Sequence, residues 1–160
     1  MKHLFAPWRM AVLEAYDTSS GCILCHLKDS KDDAESLIIH RSNTSYVVLN
    51  KFPYANGHLM IVPFRHVSHW GELDEAEVLD IHRLTTKALD ILKREMRAEA
   101  FNLGVNLGSA AGAGIPDHVH QHIVPRWTGD VNFMPLFAEV KVISEHLEAT
   151  YQKIKKAWDL

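Results

Sequence analysis

Between residues 74 and 97 the apolar residues fall at three- and four-residue intervals: Val78, Ile81, Ala88 and Leu92, with Leu84 and Ile91 beside them, on a charged background. That period belongs to an amphipathic helix, not a strand. Asp74 followed by Glu77 resembles a capping box at its start, and Lys93, Arg94 and Arg97 suit the negative end of the helix dipole. A helix of this length with one apolar stripe cannot stand alone in water, so the rest of the chain must supply a surface to cover the stripe.

The flanking segments supply it as strands. Residues 37–41 and 45–51 are rich in β-branched and aliphatic side chains and are separated by Ser42-Asn43-Thr44, which predicts a hairpin. Gly57 punctuates the next stretch, and residues 58–63 form a short apolar strand closed by Pro63. After the helix, Phe101, Leu103, Val105 and Leu107 alternate with Asn102, Gly104 and Asn106, predicting a strand with one apolar and one polar face. A glycine- and alanine-rich segment, 109–116, permits tight turns before a last strand over 118–125. Ile143, Leu147, Tyr151, Ile154 and Trp158 share one face of a C-terminal helix over 141–158. The class is α+β. Residues 28–35 read as a surface loop, and with no repeat and no linker the 160 residues are expected to form one domain, 1–160.

A net charge of −3 without any Lys/Arg block argues against a groove for duplex nucleic acid, and no run of about eighteen apolar residues suggests a membrane span. We therefore expect a cytoplasmic protein without nucleic-acid or membrane partners. The two cysteines form Cys22-Ile23-Leu24-Cys25, a spacing that lets both sulfurs reach one metal. A redox pair would need a thioredoxin-like βαβ setting, which is missing, and a pair of small buried thiols is the bland alternative. Among eleven histidines, His118, His120 and His122 alternate along the last strand and so share a face. Such a row serves two chemistries equally well: one imidazole attacks while neighbours orient it, or all three ligate a cation.

The run His118-Val119-His120-Gln121-His122-Ile123-Val124 resembles the signature of the histidine triad (HIT) family, His-φ-His-φ-His-φ-φ with φ apolar, departing from it only at Gln121. The similarity extends to Asn50, to Gly57-His58-Leu59-Met60-Ile61-Val62-Pro63, to the long helix and to the strand leading to Asn106. It implies a five-stranded antiparallel sheet with one long central helix and a C-terminal helix. It also implies a nucleotide or dinucleotide substrate cleaved at the α-phosphate through a nucleotidyl-histidine intermediate. In that scheme His120 is the nucleophile and His122 orients the reacting group or passes a proton. Asn50 matches a ribose contact, His58 sits beside the triad, and Asn106 matches a polar position near the phosphates. The family's frequent Gly-Gln-Ser/Thr segment is here Gly114-Ile115-Pro116, which leaves the backbone N–H groups of 109–114, Gly112 and Gly114 among them, as candidate phosphate donors.

The same resemblance extends the cysteine pair of the N-terminal segment, 1–30, to a structural zinc site of Cys22, Cys25, His66 and His118, with His69 as the rival to His66. It implies a homodimer meeting through the long helix and a sheet edge. Pro125-Arg126-Trp127 with Gly129-Asp130 and Asn132-Phe133, together with Ala6-Pro7-Trp8-Arg9-Met10, looks like the branch that phosphorolyses or hydrolyses diadenosine polyphosphates. Arg126 and Trp127 are candidate contacts to polyphosphate and base, the alternative being a surface arginine and an aromatic packed at the strand's end. The Hint-type branch, which hydrolyses nucleoside phosphoramidates, usually lacks this tail. A nucleotide-binding protein without catalysis would have no need of the intact row.

Overall fold

The computed structural model describes residues 21–130 and 144–160. The segments at 6–10 and 132–133, and Ile143, lie outside the described residues. Five strands, β1 Ile38–Arg41, β2 Ser45–Leu49, β3 Leu59–Pro63, β4 Ala100–Val105 and β5 Gln121–Arg126, form one antiparallel sheet in the order β1-β2-β3-β5-β4. Among the described residues three α-helices accompany it: α1 Ile23–Asp29, α2 Glu75–Met96 and α3 Leu147–Trp158.

The capping box of α2 is real. Asp74 accepts from the Glu77 main-chain N–H, and Glu77 accepts from that of Asp74, both at 2.9 Å. Arg97 ends the helix in the left-handed conformation at φ 53°. Ile81, Leu84, Ala88, Ile91 and Leu92 bury their stripe on Val47, Leu49, Leu59, Ile61 and Ile123, with Tyr151, Ile154 and Trp158 of α3 beside them. A Leu or Ile buried so completely contributes about 1.5–3 kcal/mol over the exposed state. Val78 departs from the expected stripe: it is 43% exposed, as is neighbouring Leu79 at 47%, so a second apolar face begins there.

The other face of the sheet carries Tyr46, Val48, Met60 and Val62 under Leu24 of α1. The Tyr46 hydroxyl donates to the Leu24 carbonyl at 2.7 Å, and the Arg41 guanidinium donates to the carbonyls of Leu27, Lys28 and Ser30, which helps hold the end of α1. The segment read as a surface loop therefore begins two residues later than expected, because Lys28 and Asp29 belong to this helix. α3 likewise starts at Leu147, not 141; Ser144 to His146 precede it without helix among the described residues. The last strand starts at Gln121, three residues later than expected; before it the His118 ring bonds to the Pro63 carbonyl at the end of β3 and the Val119 N–H to the Val67 carbonyl just beyond.

Candidate functional site

The site is built on β3, β5 and the loop joining β2 to β3. Met60 pairs with His122 and Ile61 with Gln121, so the histidines face away from α2 while Gln121 turns to the helix and donates to Thr85 at 2.8 Å. The polar residue at an ordinarily apolar position thus has a partner on the opposite side from the chemistry.

Hydrogen bonds assign the ring protons. The His118 carbonyl can only accept, so His120 carries its hydrogen on Nδ1, 2.8 Å away, and presents a lone pair on Nε2. Burial lowers the His120 pKa and so favours the neutral ring, an effect that the hydrogen bond to the His118 carbonyl opposes. The loop fixes the second pair. The main-chain N–H of Tyr54 donates to His58 Nδ1 at 3.1 Å, and the Asn50 amide approaches the same nitrogen at 3.4 Å. A neutral His58 then has its hydrogen on Nε2, which donates to His122 Nδ1 at 3.0 Å, so His122 holds its own hydrogen on Nε2. The rings of His120 and His122 lie 4.8 Å apart, edge to face. One imidazole offers an electron pair; its neighbour offers a proton.

Gly57 positions His58. Its φ is 75°, a conformation that favours glycine, and an added Cβ would lie 2.5 Å from Met96 Sδ, which would have to shift. Asn50 is half-buried and its side-chain oxygen accepts from the Phe52 N–H at 2.9 Å. That leaves it beside His58, with its amide nitrogen 3.4 Å from Nδ1.

His118 belongs to a second centre. Its Nε2–H donates to the Pro63 carbonyl at 2.9 Å, turning Nδ1 toward Cys22 Sγ at 3.4 Å and Cys25 Sγ at 3.6 Å. His66 Nδ1 lies 3.4 Å from Cys25 Sγ, and the four ligand atoms all fall within 4.8 Å of one another. These residues could hold a metal: the donor set is soft, compact and four in number. Burial drives the His118 pKa to about 4, against the Pro63 hydrogen bond that raises it, leaving a lone pair ready for ligation. Burial and neighbouring Cys22 push the Cys25 thiol up, an effect that a bound cation opposes. His69, the rival ligand, is spent elsewhere; its Nδ1 accepts from the Gly71 N–H in a short 3₁₀ turn.

The remaining predicted contacts lie apart or are engaged. Arg126 is four residues along β5 from His122, about 13 Å by strand spacing, and makes a two-point pair with Asp130 plus a bond to Asn102. The Trp127 indole N–H donates to the Met96 carbonyl at 3.2 Å. Asn106 is half-buried just beyond β4. In the glycine-rich loop the N–H groups of Ala111, Gly112 and Ala113 donate to the carbonyls of Gly108 and Ser109, so the turn closes on itself; Gly114 is exposed. Sequence reasoning missed Tyr54, whose ring stacks on His58 with centroids 4.7 Å apart; an aromatic in a loop gave no periodic signal.

The sheet order, the paired histidines and the cysteine cluster together define a histidine-triad architecture. The chain belongs to the HIT family: residues 31–129 match the HIT domain. It is 40% identical over 126 residues to the AP-4-A phosphorylase of Mycobacterium tuberculosis, covering 79% of this chain and 65% of that protein. It is 30% identical over 119 residues to the asymmetrical bis(5'-nucleosyl)-tetraphosphatase of Schizosaccharomyces pombe, covering 74% and 62%. The chain thus spans less than two thirds of the length of either relative. In fold it is similar to a Zn-bound histidine triad family protein from Mycobacterium smegmatis, with a TM-score of 0.68, 19% identity and coverage of 88% and 95%.

Proposed function

We propose that the protein transfers a nucleoside monophosphate group from a diadenosine polyphosphate, through a covalent intermediate on His120. The observation that carries this reading is the His120 hydrogen bond to the His118 carbonyl, which exposes Nε2 as the nucleophilic nitrogen. Nε2 attacks the α-phosphorus in line, and the bond to the bridging oxygen breaks. The departing polyphosphate oxygen accepts a hydrogen bond from the Nε2–H of His122, a hydrogen that the His58 hydrogen bond keeps on that atom. Water, releasing a proton to solvent, or phosphate then attacks the phosphoramidate, and the P–N bond breaks to restore the Nε2 lone pair of His120. Asn50 holds the ribose, and Asn106 with the open N–H groups of the glycine-rich loop, Gly114 among them, faces the phosphates. The two-point pair to Asp130 assigns Arg126 to shaping the strand's end first.

Zinc held by Cys22, Cys25, His66 and His118 would fill a four-ligand structural site and fix the protein around it. His118 then serves twice, its ring in the cluster and its carbonyl on the nucleophile.

Similarity to the AP-4-A phosphorylase favours diadenosine tetraphosphate as substrate and phosphate as acceptor. The test is incubation with diadenosine tetraphosphate with and without phosphate. Phosphorolysis gives ADP and ATP, hydrolysis gives AMP and ATP, and absence of any cleavage contradicts the proposal.

A further inference from the structure

We propose that Tyr54 is a positioning residue for the His58–His122 pair, its ring holding the two imidazoles in line and shielding their hydrogen bond from water; this rests on the reading of His122 as proton donor. Three observations converge on it. The Tyr54 ring stacks on His58 at 4.7 Å with 28° between planes, and the same ring meets His122 at 5.8 Å and 38°. One side chain therefore touches both members of the pair. Tyr54 is 39% exposed, whereas His58 is fully buried and His122 is 9% exposed, so the phenol ring forms part of the layer between the pair and solvent. The Tyr54 main chain also donates to His58 Nδ1, so one residue sets both the tautomer and the ring plane.

The loop is built to hold that residue still. The Asn50 side chain accepts from the Phe52 N–H, Pro53 restricts φ just before Tyr54, and the His58 N–H closes a turn onto the Ala55 carbonyl at 3.1 Å. An imidazole donates in its ring plane, so rotation of either ring breaks the bond between His58 Nε2–H and His122 Nδ1. Water reaching the pair would compete for both atoms and let the His122 proton move to Nδ1, facing away from its task. The face of Tyr54, not its hydroxyl, does the shielding.

The experiment uses the purified, metal-containing protein with ¹⁵N-labelled histidine and no nucleotide, and follows solvent exchange of the His58 Nε2 proton by NMR. Exchange is expected to accelerate about tenfold or more in Tyr54→Ala and to stay near wild type in Tyr54→Phe. With diadenosine tetraphosphate, Tyr54→Ala should lower kcat about tenfold, part of what the His122 hydrogen bond to the leaving group supplies, and change KM less than about threefold. Tyr54→Leu, which keeps bulk without the flat face, replaces Tyr54→Ala if the latter melts below the assay temperature. The proposal is overturned by unchanged exchange in the variant lacking the ring, by Tyr54→Phe behaving like Tyr54→Ala, or by a rise in KM with kcat intact, which marks a substrate contact instead. If the wild type leaves the dinucleotide uncleaved, the functional reading fails, and the exchange measurement alone decides the role of Tyr54.

Discussion

His120 and His122 are two residues apart, yet they hold opposite tautomers because each Nδ1 meets a different partner. For His120 it is a carbonyl, which forces a hydrogen onto Nδ1; for His122 it is the Nε2–H of His58, which forces it off. Truncating His122→Ala removes the donor and leaves the nucleophile, so kcat should fall about 10²- to 10⁴-fold while nucleotide affinity stays within a few-fold. Stopped assays beside equilibrium titration check the split. The spacing of the three histidines was legible in the sequence; their tautomers were not, because they depend on a carbonyl and on His58, 64 residues away from His122. The division of labour was also hidden. On the strand alone catalysis stood level with ligation of one cation by all three rings; the fold sets only the His118 ring against the cysteine cluster and leaves the His120 ring beside His122, where the proposed chemistry uses it.

The elements carry their own tests. Glu77 is buried at the first turn of α2, where it receives two bonds from Arg65 and one from the Asp74 N–H. The Arg65 bonds, against the opposing effect of burial, hold its carboxyl below the ordinary value. A depressed folded pKa means stability present above the unfolded value, about 4.3, and lost as pH falls through the folded one. Glu77→Gln should therefore melt below wild type at pH 7, with the gap closing below about pH 4; a gap constant from pH 7 to pH 3 would contradict the pairing. At α1, Cys22→Ser should remove metal and lower the melting temperature together, because ligation is coupled to folding. Elemental analysis of protein purified without added metal reads the first half, and folded wild type without zinc would defeat the site. The helices differ in legibility for a physical reason. α2 announced itself by period and cap, whereas α1 is seven residues long and its N-cap, Cys22, makes no side-chain cap bond. Its order comes from Tyr46 and Arg41 on distant strands, which no local pattern encodes.

At the scale of the whole molecule the two sheet edges are unequal. On β1 the Ile38 and Ile39 carbonyls accept from Tyr151 and Lys155 of α3. β4 instead shows Leu103 50% exposed, with Leu107 at 39% just beyond it, so the apolar face predicted for this strand is covered at Phe101, which packs against the core, and open at Leu103. Val78 and Leu79 repeat the pattern on α2, and they line a shallow groove with Leu73, Glu75 and His82. Exposed apolar surface of this kind suits a symmetric partner, as the family resemblance implied. Light scattering at micromolar concentration should return twice the monomer mass, and Leu103→Asp should shift it toward the monomer; a monomeric wild type would refute the dimer. The remaining claim is covalent. His120→Asn keeps the ribose, base and phosphate contacts while removing the attacking nitrogen, so it should bind nucleotide within a few-fold of wild type yet lose several orders of magnitude in turnover. The most direct measurement is mass spectrometry of the wild type quenched without acid during turnover of diadenosine tetraphosphate. We predict an acid-labile mass increase of one adenosine monophosphate on the peptide containing His120; an adduct on another residue, or near-normal turnover by His120→Asn, would contradict it.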